Sequence, residues 1–229
     1  LIDSIAELHF VSEHSGEYNL INEGVPDEKV YFAGSLLIDS LAVLMQQTGH
    51  RNALALLGLR PKQYAMVLPG HSGLLLHADH AGMTERLLKA ISERITLLLP
   101  IVSGYGEMFE NMAIDRPDEM KVIELPGPGE LLTLLRDSAF LLTDIEELQS
   151  ESTVMDVPCL TMMDSTFRPS TIEIGTNVLV GDDVEDILSR IEDILSPDTH
   201  GHRTGRSKIP EKWDGVAASR IVAVFDRLF

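Results

Sequence analysis

Short runs rich in β-branched, leucine or aromatic residues alternate along this chain with stretches whose apolar positions recur every third or fourth residue. The runs Lys29–Ala33, Tyr64–Leu68, Ile95–Val102, Lys121–Leu125, Ala139–Thr143, Val157–Thr161 and Asn177–Val180 predict strands. Between them Leu36–Gln47, Thr84–Ser92, Gly106–Met112, Glu130–Asp137, Glu146–Met155 and Asp182–Leu195 predict amphipathic helices. Strand–helix units repeated at this length predict an α/β fold, a doubly wound parallel sheet with helices on both faces. In such sheets ligands sit outside the carboxyl ends of the strands, which directs attention to the loops after Leu68, Val102, Leu125, Thr143 and Thr161. The first 47 residues have another rhythm: a helix end, a strand at Leu8–Val11, a helix at Tyr18–Glu23, a strand at Val30–Ala33 and a long helix. Ser196–Lys208, rich in His and Gly with a small basic cluster, reads as a surface loop.

Composition narrows what such a fold can do. At 229 residues and 44% hydrophobic content the chain can bury a substantial core. No apolar run approaches the ~20 residues of a membrane helix; the longest, Ile95–Val102 and Val154–Leu160, read as buried strands. No membrane partner is expected. A formal charge of −18 disfavours nucleic acid, whose phosphates need Lys and Arg. It also works against phosphorylated ligands unless basic groups gather locally. The single Cys159 lies in an apolar run, which excludes an internal disulfide and fits a reducing, cytoplasmic setting. The chain opens on Leu1 with neither a basic nor an apolar leader, and reads as a fragment or a trimmed chain.

Leu141–Gly181 is the most informative segment. It contains Thr143-Asp144, the run Val157-Pro158-Cys159-Leu160-Thr161, the pair Arg168-Pro169, and Gly175-Thr176-Asn177 followed by Leu179-Val180-Gly181. This order resembles the non-hydrolysing UDP-N-acetylglucosamine 2-epimerases, in which Thr-Asp-Ser-Gly-Gly precedes a VPCLT strand and a TERPxTxExGTNxLVG segment. The resemblance extends to Glu23-Gly24 and Val30–Asp39, similar to the family's "EG…VxxxGNxxID" with Ser35 in place of Asn. It extends also to Trp213–Val222, similar to its closing "DGxAAxRI" helix. The resemblance implies a GT-B-like, Rossmann-type C-terminal domain preceded by a remnant of the N-terminal one. Residues 1–47 would end the N-terminal domain and make the interdomain connection, and 48–229 would form the second domain, with a closing helix at 212–228. It implies interconversion of UDP-N-acetylglucosamine and UDP-N-acetylmannosamine by elimination and re-addition of UDP. The acid and base carboxylates would come largely from N-terminal residues outside this chain.

Within that resemblance the loops at the strand ends depart from the family. Ile145, Glu146 and Glu147 stand where Ser-Gly-Gly would cradle the diphosphate; the glycines that let backbone approach phosphate are gone. Two carboxylates there would repel the anion, whereas in a first helical turn they favour the helix dipole, with Asp144 suited as its N-cap. Pro69-Gly70 replace the His and Arg of "TLHRxEN", with His71 one step away. Ser103 and Tyr105 replace the His and Arg of "PVHPRT", and of "PLGYLxF" only Gly127 persists. Glu151 matches the glutamate that accepts from ribose hydroxyls, and Arg168 the arginine of "ERP", with Phe167 where the glutamate would be. Glu151, Arg168 and Asp144 are thus the candidate substrate-binding residues, and no catalytic residue is assigned. Arg168 has two readings: a fork of donors for phosphate or carboxylate, or a structural partner of Asp144, Asp164 or a helix carboxylate.

His77-Ala78-Asp79-His80, with His71 nearby, is spaced loosely enough for zinc but too loosely to require it, and His200 and His202 are weaker. No Walker loop, GxGxxG, CxxC pair or Ser–His–Asp order is present, so neither a cofactor nor a metal is expected. The sequence therefore leaves three expectations. The first is an epimerase-like protein impaired as the chain stands, with a UDP-sugar ligand opposed by the lost motifs; the second is an enzyme completed by an N-terminal domain. The third is a non-catalytic module that forms a homodimer through its helices.

Overall fold

A computed structural model of the chain describes residues 2–47, 53–70, 74–102, 109–111, 118–196 and 208–229. The predicted strands from Tyr64 onward form one six-stranded sheet in the order β5-β4-β3-β6-β7-β8, every pair parallel. Its strands are β3 (Tyr64–Leu68), β4 (Thr96–Ile101), β5 (Met120–Glu124), β6 (Leu141–Thr143), β7 (Cys159–Thr161) and β8 (Asn177–Leu179). Strand order reverses between β3 and β6, which makes the crevice between their carboxyl ends the topological switch point of the sheet.

Alternation along the central strands divides the core. Ala65 and Val67 of β3, with Leu97 and Leu99 of β4, face a layer holding Leu87, Leu88 and Ile91 of α4 (Ala81–Ser92) and Ile187 and Ile191 of α8 (Val184–Leu195). Tyr64, Met66 and Leu68 face the other layer with Leu134 and Leu135 of α5 (Pro128–Asp137), Leu148 of α6 (Glu147–Val154) and the short α3 (Ala53–Leu56). Because both faces are covered, β3 is buried along its length, and its continuous apolar run follows from that. The doubly wound expectation is met. Of the predicted helix Gly106–Met112 only 109–111 lie among the described residues, and they are helical.

Residues Leu1–Gln47 and Ile209–Phe229 form one compact unit and Thr48–Lys208 the other. The first contains β1 (His9–Val11) paired in parallel with β2 (Val30–Phe32), and the helices α1 (His14–Asn22), α2 (Leu36–Gln47) and α9 (Ala217–Leu228). The closing helix and the residues from Ile209 that lead into it thus belong to the first unit. Asp39 explains why: its carboxylate accepts the N–H groups of Ala217 (3.0 Å) and Ala218 (2.7 Å) at the start of α9. Arg220 pairs with Asp214 and donates to the Ala33 carbonyl at 3.1 Å, and Trp213 Nε1 donates to the Ser12 carbonyl at 2.9 Å. Gly34, at φ 93°, lies so near the Lys212 carbonyl that a Cβ would collide with it.

Candidate functional site at the switch point

The crevice between β3 and β6 is bridged by Asp144. One carboxylate oxygen accepts the Gly70 N–H at 2.5 Å and the other the Leu75 N–H at 3.2 Å. Asp144 was expected to cap the following helix; instead α6 has Glu146 at its N-cap position, with no side-chain cap, and Asp144 ties down the loop after β3. Loop donors and a strand-end carboxylate facing each other across the switch point drew it away from the helix. Thr143 Oγ1 donates to the Leu68 carbonyl (2.7 Å) and accepts the Ile145 N–H (3.0 Å), joining the same two strand ends. The N–H groups of Gly70, Leu75 and Ile145 at this crevice are therefore engaged within the protein.

Glu146 and Glu147 diverge in role. Glu146 Oε1 accepts the Phe167 N–H at 2.6 Å and lies 3.0 Å from the Thr166 hydroxyl, fastening the start of α6 to the loop after β7. Glu147 instead lines a cavity of about 310 Å³ at the carboxyl ends of β3, β4 and β5. Its walls include Leu68, Ile101, Leu125, Leu131, Ile145 and Leu148. Pro69 and Gly70, at the positions where the resemblance implies His and Arg, line it too. His71, Ser103 and Tyr105 lie outside the described residues.

One turn beyond Glu147, Glu151 stands on the same side of α6 by its four-residue spacing. Burial, then the Glu147 charge, push its carboxyl up to about 7 against a partial pull downward from Arg168. Arg168 donates from Nη1 to Ser150 Oγ at 3.3 Å, while its Nε is buried without a hydrogen-bond partner. Glu151 and Arg168 are therefore close enough to feel each other's charge. Asp144 is engaged elsewhere, and the three candidates do not share one set of contacts.

A polar network invisible in the hydropathy pattern supports this edge. Gln149, Ser150, Ser152 and Thr153 of α6 are all 0% exposed. Gln149 Oε1 lies 2.7 Å from the Thr166 hydroxyl and 3.4 Å from that of Thr171, which stands in the short helix α7 (Pro169–Glu173). Asn177 closes the chain, its Nδ2 donating to Thr171 Oγ1 (3.3 Å) and its Oδ1 accepting from the Thr161 hydroxyl (2.6 Å). Cys159 lies beneath it, fully buried, its thiol pushed up to about 11 by that burial. The sequence signal for the network lay in Thr161 and Asn177, which belong to the motif-bearing runs and carry no hydropathy pattern of their own.

Of the loosely spaced histidines, His77 and His80 lie among the described residues, and His71, His200 and His202 lie outside them. His77 Nδ1 lies 3.6 Å from Asp79 Oδ2, and the His77 and His80 rings are 5.7 Å apart. Among the described residues no three His, Cys, Asp or Glu side chains are grouped to hold a metal ion, and no helix is long and apolar enough to cross a membrane.

Comparison with known proteins accords with this geometry. The family model described as UDP-N-acetylglucosamine 2-epimerase matches residues 1–226. A UDP-N-acetylglucosamine 2-epimerase of Methanocaldococcus jannaschii is 28% identical over 86% of this chain and 56% of its own length. The Methanococcus maripaludis protein of the same name is 24% identical over 87% of this chain and 57% of its own. The chain thus spans little more than half of these relatives. A solved UDP-GlcNAc 2-epimerase from Neisseria meningitidis, bound to UDP-GlcNAc, superposes with a TM-score of 0.83 at 17% identity, covering 98% of this chain and 62% of that one. At that identity the likeness concerns the fold.

Proposed function

Because the chain belongs to the UDP-N-acetylglucosamine 2-epimerase family, we propose that it binds the nucleoside end of a UDP-sugar through Glu151 and Arg168 and, as it stands, does not complete the 2-epimerisation. The observation that carries the proposal is the pairing on one edge of α6. A half-buried carboxyl titrating at about 7 lies within electrostatic reach of a guanidinium whose buried Nε has no partner. A vicinal diol offers donors to such a carboxyl, and the guanidinium offers donors to ring oxygens or carbonyls.

Loss of the reaction follows from what surrounds them. Glu147 presents negative charge where a leaving diphosphate would need stabilising, and Pro69 and Gly70 supply no cation. Asp144 belongs to the loop scaffold in this reading, not to the ligand contacts. A cytoplasmic location and a homodimer form part of the same proposal.

Calorimetric titration tests it. Uridine is expected to bind as tightly as UDP or more tightly, Arg168→Ala is expected to weaken uridine at least about tenfold, and deuterium exchange at C2 of UDP-N-acetylglucosamine is expected to be absent. UDP binding more than about tenfold tighter than uridine, or C2 exchange above the solvent rate, would sink the proposal.

A further inference from the structure

Glu146 stands at the start of α6, and its side chain does not cap that helix. Its Oε1 instead accepts the Phe167 N–H at 2.6 Å and lies 3.0 Å from the Thr166 hydroxyl. A carboxylate on a backbone N–H makes a short, charge-assisted bond, stronger than one between neutral groups. Thr166 carries the tie one residue further, its Oγ1 accepting the Arg168 N–H at 3.0 Å. Beyond it the Arg168 carbonyl accepts both the N–H (3.0 Å) and the hydroxyl (2.7 Å) of Thr171. The backbone from 166 to 168 is thus held from α6 on one side and from α7 on the other. The Arg168 side chain is held less firmly: Nη1 reaches Ser150 Oγ at 3.3 Å, a long bond, and Nε is buried without a hydrogen-bond partner. From these observations we propose that Glu146 is a positioning residue: by clamping the loop after β7 to the start of α6 it aims the Arg168 guanidinium at Ser150 and Glu151, and so sets the geometry in which that pair meets a nucleoside. The last step rests on the reading of Glu151 and Arg168 as ligand contacts; the clamp itself does not.

Two features give Glu146 this part in the loop. The Phe167 ring is 90% exposed, so its packing does little to fix the chain on either side of it, and polar ties take that role. Gln149 Oε1 also lies 2.7 Å from the Thr166 hydroxyl, but a hydroxyl has one proton to give, and the Phe167 N–H goes to Glu146. Glu151 reports where the guanidinium sits. Burial and the Glu147 charge raise its carboxyl, and Arg168 lowers it. Moving Arg168 out of reach therefore raises the Glu151 titration further, whereas deleting the Glu146 charge with Arg168 in place acts the other way, because a negative neighbour has been removed. The sign of the change separates the loss of aim from the loss of a charge.

The test follows the Glu151 carboxyl of the full chain by carbon NMR through a pH titration. Glu146→Ala is expected to move its midpoint upward by about half a pH unit or more, in the same direction as Arg168→Met. Glu146→Gln, which keeps an acceptor oxygen, is expected to leave the midpoint at or slightly below that of the parent. With Arg168→Met already made, Glu146→Ala is expected to add no upward shift, since the two changes act through one guanidinium. Should Glu146→Ala fold poorly, Glu146→Ser makes the same test: its side chain is too short to reach Phe167, and its hydroxyl suits a helix start. In calorimetry Glu146→Ala is expected to weaken uridine about fivefold or more, and Glu146→Gln less than about twofold. The proposal is overturned by an unchanged or lowered midpoint in Glu146→Ala, by an equal rise in Glu146→Gln, or by the same rise with Arg168 already replaced. Uridine affinity that survives Glu146→Ala overturns it equally. Absence of uridine binding by the parent chain overturns the proposed function instead, and the Glu151 midpoint still decides whether Glu146 aims Arg168.

Discussion

Single residues in this protein carry roles that their local sequence does not announce. Glu151 could be picked out by its place in a motif, but its perturbed titration follows from burial, from Glu147 one turn earlier and from Arg168 seventeen positions later. Its folded-state pKa of about 7 stands above the unfolded value. Glu151 therefore favours folding at low pH, and this contribution is lost as pH rises from the unfolded value through about 7. Glu151→Gln removes the cost of burying the ionised form. The variant is expected to be more stable than the parent at pH 8, by roughly 1–3 kcal/mol after allowance for partial exposure, and to converge on it near pH 4. Chemical denaturation at the two pH values measures the difference; a gap that widens toward low pH would contradict the assignment. Asp144 teaches the opposite lesson. It was recognised as important, yet the role expected of it, a helix cap, belongs to the linear sequence, while its actual partners, Gly70 and Leu75, lie about seventy positions away.

Among the elements, α6 departs most from its sequence pattern. Its Glu-Leu-Gln-Ser-Glu-Ser-Thr-Val forms the helix expected over Glu146–Met155, but an amphipathic pattern would bury only its apolar positions, and Gln149, Ser150, Ser152 and Thr153 are buried. They are tolerated because Gln149, Ser150 and Ser152 have hydrogen-bond partners; Thr153 Oγ1 has none. Gly175 completes the arrangement: a Cβ there would meet Thr153 Oγ1 at 2.5 Å and the Thr171 carbonyl at 2.6 Å, so the chain can pass this close only without a side chain. Gln149→Leu, similar in volume, would leave the Thr166 and Thr171 hydroxyls without this partner. It is expected to cost roughly 1–3 kcal/mol, read as a lower urea midpoint at unchanged slope. A neutral result would mean that the network is rebuilt without it.

At the scale of the whole molecule, 36 acidic against 18 basic residues leave a net charge of −18, and this self-repulsion opposes compactness. Salt is accordingly expected to stabilise: raising NaCl from about 0.02 to 0.5 M shortens the screening length severalfold and should raise the melting temperature. A fall would show that surface ion pairs such as Arg94–Glu192 outweigh the repulsion. The sequence by itself determined the strand–helix alternation, the parallel doubly wound sheet and the family, because these rest on short-range periodicity and contiguous motifs, both of which survive in linear order. It also showed which strand-end loops had lost their basic and glycine residues. Tertiary structure alone decided that the closing helix belongs with the first residues through Asp39, that Asp144 and Thr143 occupy the N–H groups of Gly70, Leu75 and Ile145, and that Glu147 lines an apolar cavity while Glu146 binds the loop after β7. Each of these depends on a contact between residues far apart in the chain or on the direction of one side chain, and hydrophobic periodicity encodes neither.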